Sequence, residues 1–220
     1  MSAAPQRPDC APAQPRRRAR KREKTANHLA ATAFRLFEEQ GFEAVTMEQI
    51  AVAADVAKGT LYNHFPLKEG LLARQFRQEI ASGMVSLRGA LERQPGFAAR
   101  MRFLLRACAE WNESRRAYLP YYLRFRWALV ERGDRDATEE HRSGTFHILE
   151  ALFREGQASG EVRQDVRARD IAWMFEFMLL GAVTVWLSRP GEDLKQGFES
   201  SLGVLLEGVT TAARAGKRKK

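Results

Sequence analysis

A chain of 220 residues with 45 % hydrophobic content is long enough for one or two domains with a real core. Its formal charge of +9 points to an anionic partner. The basic N-terminus lacks the hydrophobic stretch of a secretory signal, and no run of about 18 apolar residues suggests a transmembrane helix. The two cysteines, Cys10 and Cys108, form neither a disulfide framework nor a metal spacing, so the expectation is a cytoplasmic protein with no membrane partner.

The charge is concentrated at the ends. Residues 1–24 carry eight basic residues against two acidic ones, 214–220 carry five basic and no acidic ones, and 25–213 therefore net −2. Residues 1–15, mostly Pro, Ala and Gln, are expected to be disordered. RRRARKREK at 16–24 is a charge run ahead of the first helix. It is either a solubilising tail or, as the elements that follow favour, an arm that neutralises phosphates, with Arg18 and Arg20 as contacts.

The first helix is expected over 25–40, with Leu29, Ala33, Leu36 and Phe37 as its apolar stripe and Gly41 as a left-handed stop. Phe42 can fold back on that stripe. Thr46 followed three residues later by Gln49 is a capping-box start, and a short helix over 47–54 follows. Asp55-Val56-Ala57 turns the chain into a second short helix over 58–64, whose Leu61 faces inward with Phe65 four residues on. Its other face offers Lys58, Gly59, Thr60, Tyr62, Asn63 and His64. Two short helices across a tight turn, the second with such a face, make a helix-turn-helix whose second helix can enter a major groove. Lys58 and Thr60 stand where side chains reach base edges, and Tyr62 and His64 suit phosphate oxygens. Gly59 leaves a gap where no side chain keeps the helix from DNA, while His64 could instead pack against the fourth helix.

The stretch GTLYNHF, with LFEEQGFEAVTMEQIA before it and KEGLL after it, resembles the tetracycline-repressor (TetR) family of bacterial regulators over residues 22–82. The resemblance implies that the positions of Tyr62, His64, Thr46 and Lys68 meet the DNA backbone. Two residues depart from the family pattern. Ala57 stands where a serine or threonine is usual before the recognition helix, so one cap is expected to be missing. Asp55 stands where glycine is common; aspartate tolerates a left-handed conformation.

After Pro66 a long helix is expected from Lys68 to about Arg93, keeping Leu72, Phe76, Ile80, Leu87 and Leu91 at helical spacing, with Gly83 and Gly89 as places for a bend. Beyond Pro95-Gly96 the pattern is helical over about 97–115, 118–132, 136–159, 168–188 and 191–214. The expected architecture is all-α: a disordered basic arm at 1–21, a DNA-binding domain at 22–82 with its helix-turn-helix at 45–64, a helical bundle at 83–213 and a basic tail at 214–220.

The bundle is rich in aromatic residues, which suits an apolar cavity with polar handles as well as an ordinary core. In the resembling family the ligand cavity lies in this bundle, and the candidate effector residues are Trp111, Tyr122, Phe125, Phe146 and Trp173. IAWMFEFMLLGAVTVWL at 171–187 is apolar almost all round apart from Glu176 and must be buried on most sides. With the stripe of the last helix it reads as a two-fold interface, a four-helix bundle formed with a second copy by Trp173, Phe177, Leu180, Val185, Phe198, Leu202 and Leu205. The family places its dimer interface there too.

Glu139, Glu140, His141 and His147 match no standard metal spacing and read as a solvated helix face. With no nucleophile–base motif, phosphate loop or CxxC pair, neither an enzyme nor a cofactor is expected. The function implied is a homodimeric, sequence-specific transcriptional repressor on a palindromic double-stranded DNA operator, released by a small-molecule effector. An effector-independent architectural DNA-binding protein and an adaptor that docks a protein partner through the bundle are the other readings.

Overall fold

The computed structural model describes residues 13–131 and 144–209, and within them all nine regular elements are helices: α1 (Ala13–Gln40), α2 (Met47–Ala53), α3 (Lys58–His64), α4 (Lys68–Glu92), α5 (Gly96–Ser114), α6 (Leu119–Glu131), α7 (Gly144–Ala158), α8 (Ala168–Ser188) and α9 (Leu194–Val209). The chain divides inside α4 into two units, one ending at Gln75 and the other beginning at Phe76. The divide expected from the sequence, at 82/83, lies further along the same helix, and Gly83 and Gly89 do not interrupt it.

α1 starts twelve residues earlier than the 25–40 span expected from the sequence, so 13–15 are helical and the basic run belongs to the helix. Arg, Lys, Ala and Glu are strong helix formers, and Pro15 falls in the first turn, where a missing N–H is tolerated. The apolar stripe then buries itself: Leu29, Ala33, Leu36 and Phe37 are all buried. Gly41 has φ +85°, a left-handed stop that lets Phe42 fold back until its ring centroid is 4.8 Å from that of Phe37. The Thr46 hydroxyl accepts the N–H of Gln49 at 3.2 Å, and Oε1 of Gln49 accepts the N–H of Thr46 at 2.8 Å, so α2 opens on a complete capping box. Asp55 carries the turn with φ +53°, and Ala57 begins α3 with no side-chain cap. Ile50 and Leu61, both fully buried, anchor the two short helices to the α1 core. Each contributes roughly 2 kcal/mol by leaving water.

In the second unit α8 packs against α7 and α9, α9 against α5, and α5 against α7. Phe153 joins three of them, its ring centroid 5.3 Å from Phe97 on α5 and 6.2 Å from Phe175 on α8. Gly156 makes the α5–α7 approach possible, since a Cβ there would lie 2.6 Å from Val162 and 2.9 Å from the Phe97 ring. Pro95 cannot cap α5 with its side chain, and the N–H of Phe97 donates instead to Oε1 of Glu161, at 2.9 Å. α9 begins at Leu194, three residues later than expected, because Oδ1 of Asp193 accepts the N–H groups of Lys195 and Gln196 as an N-cap. The remainder of the expected 191–214 and 136–159 helices lies outside the described residues, as do Glu139, Glu140, His141 and the 214–220 tail.

Contrary to the hydropathy reading of the sequence, α8 is long and apolar enough to cross a membrane by length and composition alone. It is a bundle helix here: Ile171, Ala172, Phe175, Glu176, Leu179, Val183 and Trp186 are buried. Nor is it covered on most sides, as its composition suggests. Trp173, Met174 and Val185 are 50 %, 52 % and 38 % exposed on its other face.

Candidate nucleic-acid interface

α3 is seven residues long, too short to be stable alone, and it is held by one inward residue. Leu61 faces the core, while Lys58, Gly59, Thr60, Tyr62 and Asn63 are all exposed, and His64 is half-buried at the end of the helix. The face expected to meet DNA is therefore open. A Cβ on Gly59 would meet nothing within 4 Å; nothing inside the protein requires glycine there, so the constraint, if one acts, comes from what docks against the helix. Arg18 and Arg20 are exposed on the N-terminal extension of α1. Burial, and secondarily the Arg22 guanidinium, hold the His64 imidazole below its usual value. That shift favours the neutral ring, which keeps an N–H to donate.

The helix-turn-helix is braced from behind. A ring nitrogen of His28 on α1 lies 3.2 Å from the carbonyl oxygen of Ala54, at the end of α2. Nε and Nη2 of Arg74 both donate to Oδ1 of Asn27, at 2.8 and 2.6 Å. Thr46 is exposed, but its hydroxyl already serves the α2 cap.

Lys68 departs from the role its resemblance implies. Its ammonium donates to the carbonyls of Phe42, Val45 and Glu43, at 2.6, 2.8 and 3.4 Å, and stands 4.5 Å from the centre of the Phe42 ring. Carbonyls left over where α1 ends and turns into α2 engage the ammonium, so in this structure Lys68 is a staple of that turn. Lys68→Met is expected to lower the stability of the first unit by about 1.5–3 kcal/mol, the range for hydrogen bonds to a charged group. The salt slope of DNA binding should stay unchanged, where a lost phosphate contact would reduce it by about 0.9 per site. Thermal unfolding and a salt-dependent titration check the two halves of this expectation.

Lys58 also has a partner that the sequence reading missed: its ammonium is ion-paired with Glu48, in the first turn of α2. The only sequence signal was an acid ten residues before a base across a helix-turn-helix, which is visible only once the turn geometry is known.

The candidate effector residues are not brought together as one cavity. Trp111 and Tyr122 meet on Phe76, with ring centroids 4.8 and 5.3 Å from it, and the Trp111 indole N–H donates to Glu79 at 3.2 Å. Phe125 and Phe146 are buried, Phe146 completely. Trp173 points the other way, 50 % exposed and stacked on Phe177 at 4.6 Å, because it lies on the outward face of α8. A groove of about 280 Å³ lies elsewhere, lined by Leu105, Arg106, Glu110, Lys195, Phe198 and Glu199 among others. None of the five candidates lines it.

The expected interface residues divide in the same way. Phe198, Leu202 and Leu205 are buried inside the protomer, 2 %, 1 % and 8 % exposed, because the apolar stripe of α9 is consumed by packing on α5 and α8. They are core residues and not an interface. Trp173 and Val185 are exposed, and Phe177 and Leu180 partly so. Trp127 on α6 joins them, its ring 5.7 Å from Phe177, and Val204 is the exposed apolar residue of α9.

Residues 29–74, which span α1 to α4, match the model of bacterial regulatory proteins of the tetR family. Over 188 residues the chain is 26 % identical to the HTH-type transcriptional repressor KstR2 of Mycolicibacterium smegmatis, a match that covers 83 % of this chain and 87 % of that protein. It superposes with a TM-score of 0.71 on Thermus thermophilus FadR, a transcriptional repressor solved in complex with lauroyl-CoA, at 25 % identity over 83 % of this chain and 94 % of that one. A second FadR, from Bacillus subtilis in complex with stearoyl-CoA, shares the fold with a TM-score of 0.57 at 21 % identity over 82 % of this chain and 97 % of that one.

Proposed function

We propose that this chain, whose residues 29–74 match the model of bacterial regulatory proteins of the tetR family, is a member of that family that works in the cytoplasm as a homodimeric repressor released from a palindromic operator by a small molecule. The observation that carries this reading is the exposed face of Lys58, Gly59, Thr60, Tyr62 and Asn63 set on a fully buried Leu61. The arms that continue α1 supply cations that track phosphates without reading sequence. Titration onto the DNA upstream of the protein's own gene, against random duplex and at several salt concentrations, tests it. Saturable binding well above random duplex supports the repressor. Equal binding to any duplex, abolished by salt, means that the tails do the binding and the protein is architectural.

A second copy is the natural cover for the outward face of α8. Trp173, Phe177, Gly181 and Val185 follow one another at four-residue spacing along this face, with Met174 next to Trp173. Exposed apolar surface of this kind marks an interface, and the small Gly181 allows close helix approach. Trp173→Glu is expected to give a monomer in sedimentation at micromolar concentration, with operator affinity falling because two half-sites are no longer read by one molecule. A Trp173→Glu protein that remains dimeric removes α8 from the interface.

The relatives bound to lauroyl-CoA and stearoyl-CoA make long-chain acyl-CoA the first effector class to test. An effector that prefers the geometry unable to bind DNA releases the operator by the same coupling free energy with which DNA disfavours the effector. Such a ligand would have to part the side chains around Phe76, Trp111 and Tyr122. Their close packing, and the burial of Phe146, favour effector-independent binding as the second reading. A thermal shift with acyl-CoA, accompanied by operator release, separates the two.

A further inference from the structure

α3 opens with Lys58, and the carboxylate that holds its ammonium belongs to Glu48 on α2. Both side chains are more than half exposed, 60 % and 54 %, and an ion pair so open to water contributes little to folding. A carboxylate on the surface that faces a polyanion also repels it, so stability alone gives little reason for an acid here. The pair does constrain where the cation goes. The Lys58 ammonium lies between the Glu48 carboxylate and the Tyr62 ring, whose centroid is 5.7 Å away. One donor faces Glu48, while the remaining donors stay available to acceptors such as O6 and N7 of guanine.

We propose that Glu48 is a specificity-determining residue, holding Lys58 for base reading and suppressing indiscriminate phosphate binding by the recognition helix. This rests on the assignment of α3 as the DNA-reading helix. The hydrogen bond between them lowers the Glu48 carboxyl and raises the Lys58 ammonium from their usual values, each shift favouring the charged form that the pair needs. On random duplex a paired Lys58 releases few counterions. On an operator its aimed N–H groups find base acceptors. Discrimination therefore comes from weakening the wrong complex, as much as from strengthening the right one.

The test uses the full-length protein as wild type, Glu48→Gln, Lys58→Gln and the double variant, each titrated onto random duplex over a range of salt and onto the operator duplex. Glu48→Gln is expected to tighten random-duplex binding about five- to tenfold near 0.1 M salt and to steepen the salt slope by about 0.9 for each protomer engaged. The operator should gain less, so the ratio of operator to random affinity falls. In the Lys58→Gln background the same change should have little effect, because no cation remains to be released. An unchanged random-duplex slope in Glu48→Gln overturns the proposal. So does an equal gain in the Lys58→Gln background, which would show only the loss of a repelling charge. The random-duplex comparison needs no operator. If the wild type shows no operator preference at all, the repressor reading fails, and the slopes still decide whether Glu48 masks Lys58.

Discussion

Arg126→Met is expected to destabilise the unit that begins at Phe76 by about 3–5 kcal/mol, the range for removing one partner of a buried ion pair. Nη2 of Arg126 on α6 lies 3.3 Å from Oε2 of Glu176 on α8, with side-chain exposures of 13 % and 6 %. Tyr122, one turn earlier on α6, is buried beside them, and that burial holds its hydroxyl in the neutral form. With Arg126 gone, the Glu176 carboxylate is left in a mostly apolar helix, where charge is costly to keep. Changing both partners, as Arg126→Met with Glu176→Leu, should recover most of the loss, because apolar groups of similar volume avoid the desolvation that the pair must overcome. Urea unfolding of the three variants measures this. A single variant that loses less than about 1 kcal/mol would show that water reaches the pair, since solvated pairs contribute little.

Lys58→Ala with Tyr62→Phe is expected to abolish operator recognition and leave the fold intact. A good base contact discriminates by about 1–3 kcal/mol, so losing Lys58 from two half-sites weakens operator binding by roughly 2–6 kcal/mol. Loss of the Tyr62 hydroxyl, in the proposed role of donor to phosphate, adds to this. Neither residue supports the core: Lys58 is exposed and Tyr62 is 40 % exposed, while the buried anchor of α3 is Leu61. Thermal unfolding should therefore be close to wild type while the operator isotherm collapses toward that of random duplex. Operator affinity within a factor of about two of wild type, in a folded protein, would remove α3 from the DNA interface.

The helix-turn-helix was legible because its determinants are local. The Thr46–Gln49 capping box and the left-handed Gly41 and Asp55 each act within four residues of their partners or on their own backbone. The spacing of apolar residues and the break at Pro95-Gly96 likewise placed the bundle helices, because propensity and hydrogen-bond geometry along a helix are properties of neighbouring residues.

What distant contacts decide was not legible. Lys68 looked like a cation for phosphates and became a turn staple, because the carbonyls of Phe42, Glu43 and Val45 converge on it from more than twenty residues away. α8 is apolar on all sides, so its periodicity carries no sign of which face is inward; packing on α7 and α9 buried Phe175 and Leu179 and left Trp173 and Met174 outside. The same packing turned Phe198, Leu202 and Leu205 from interface candidates into core. By itself the sequence determined that these segments are helices and which face of α3 is polar, since these follow from interactions within one or two turns. Only the tertiary structure decided which apolar faces remain open and which cations remain unpaired, because burial and ion pairing are settled by whatever side chains other helices bring alongside.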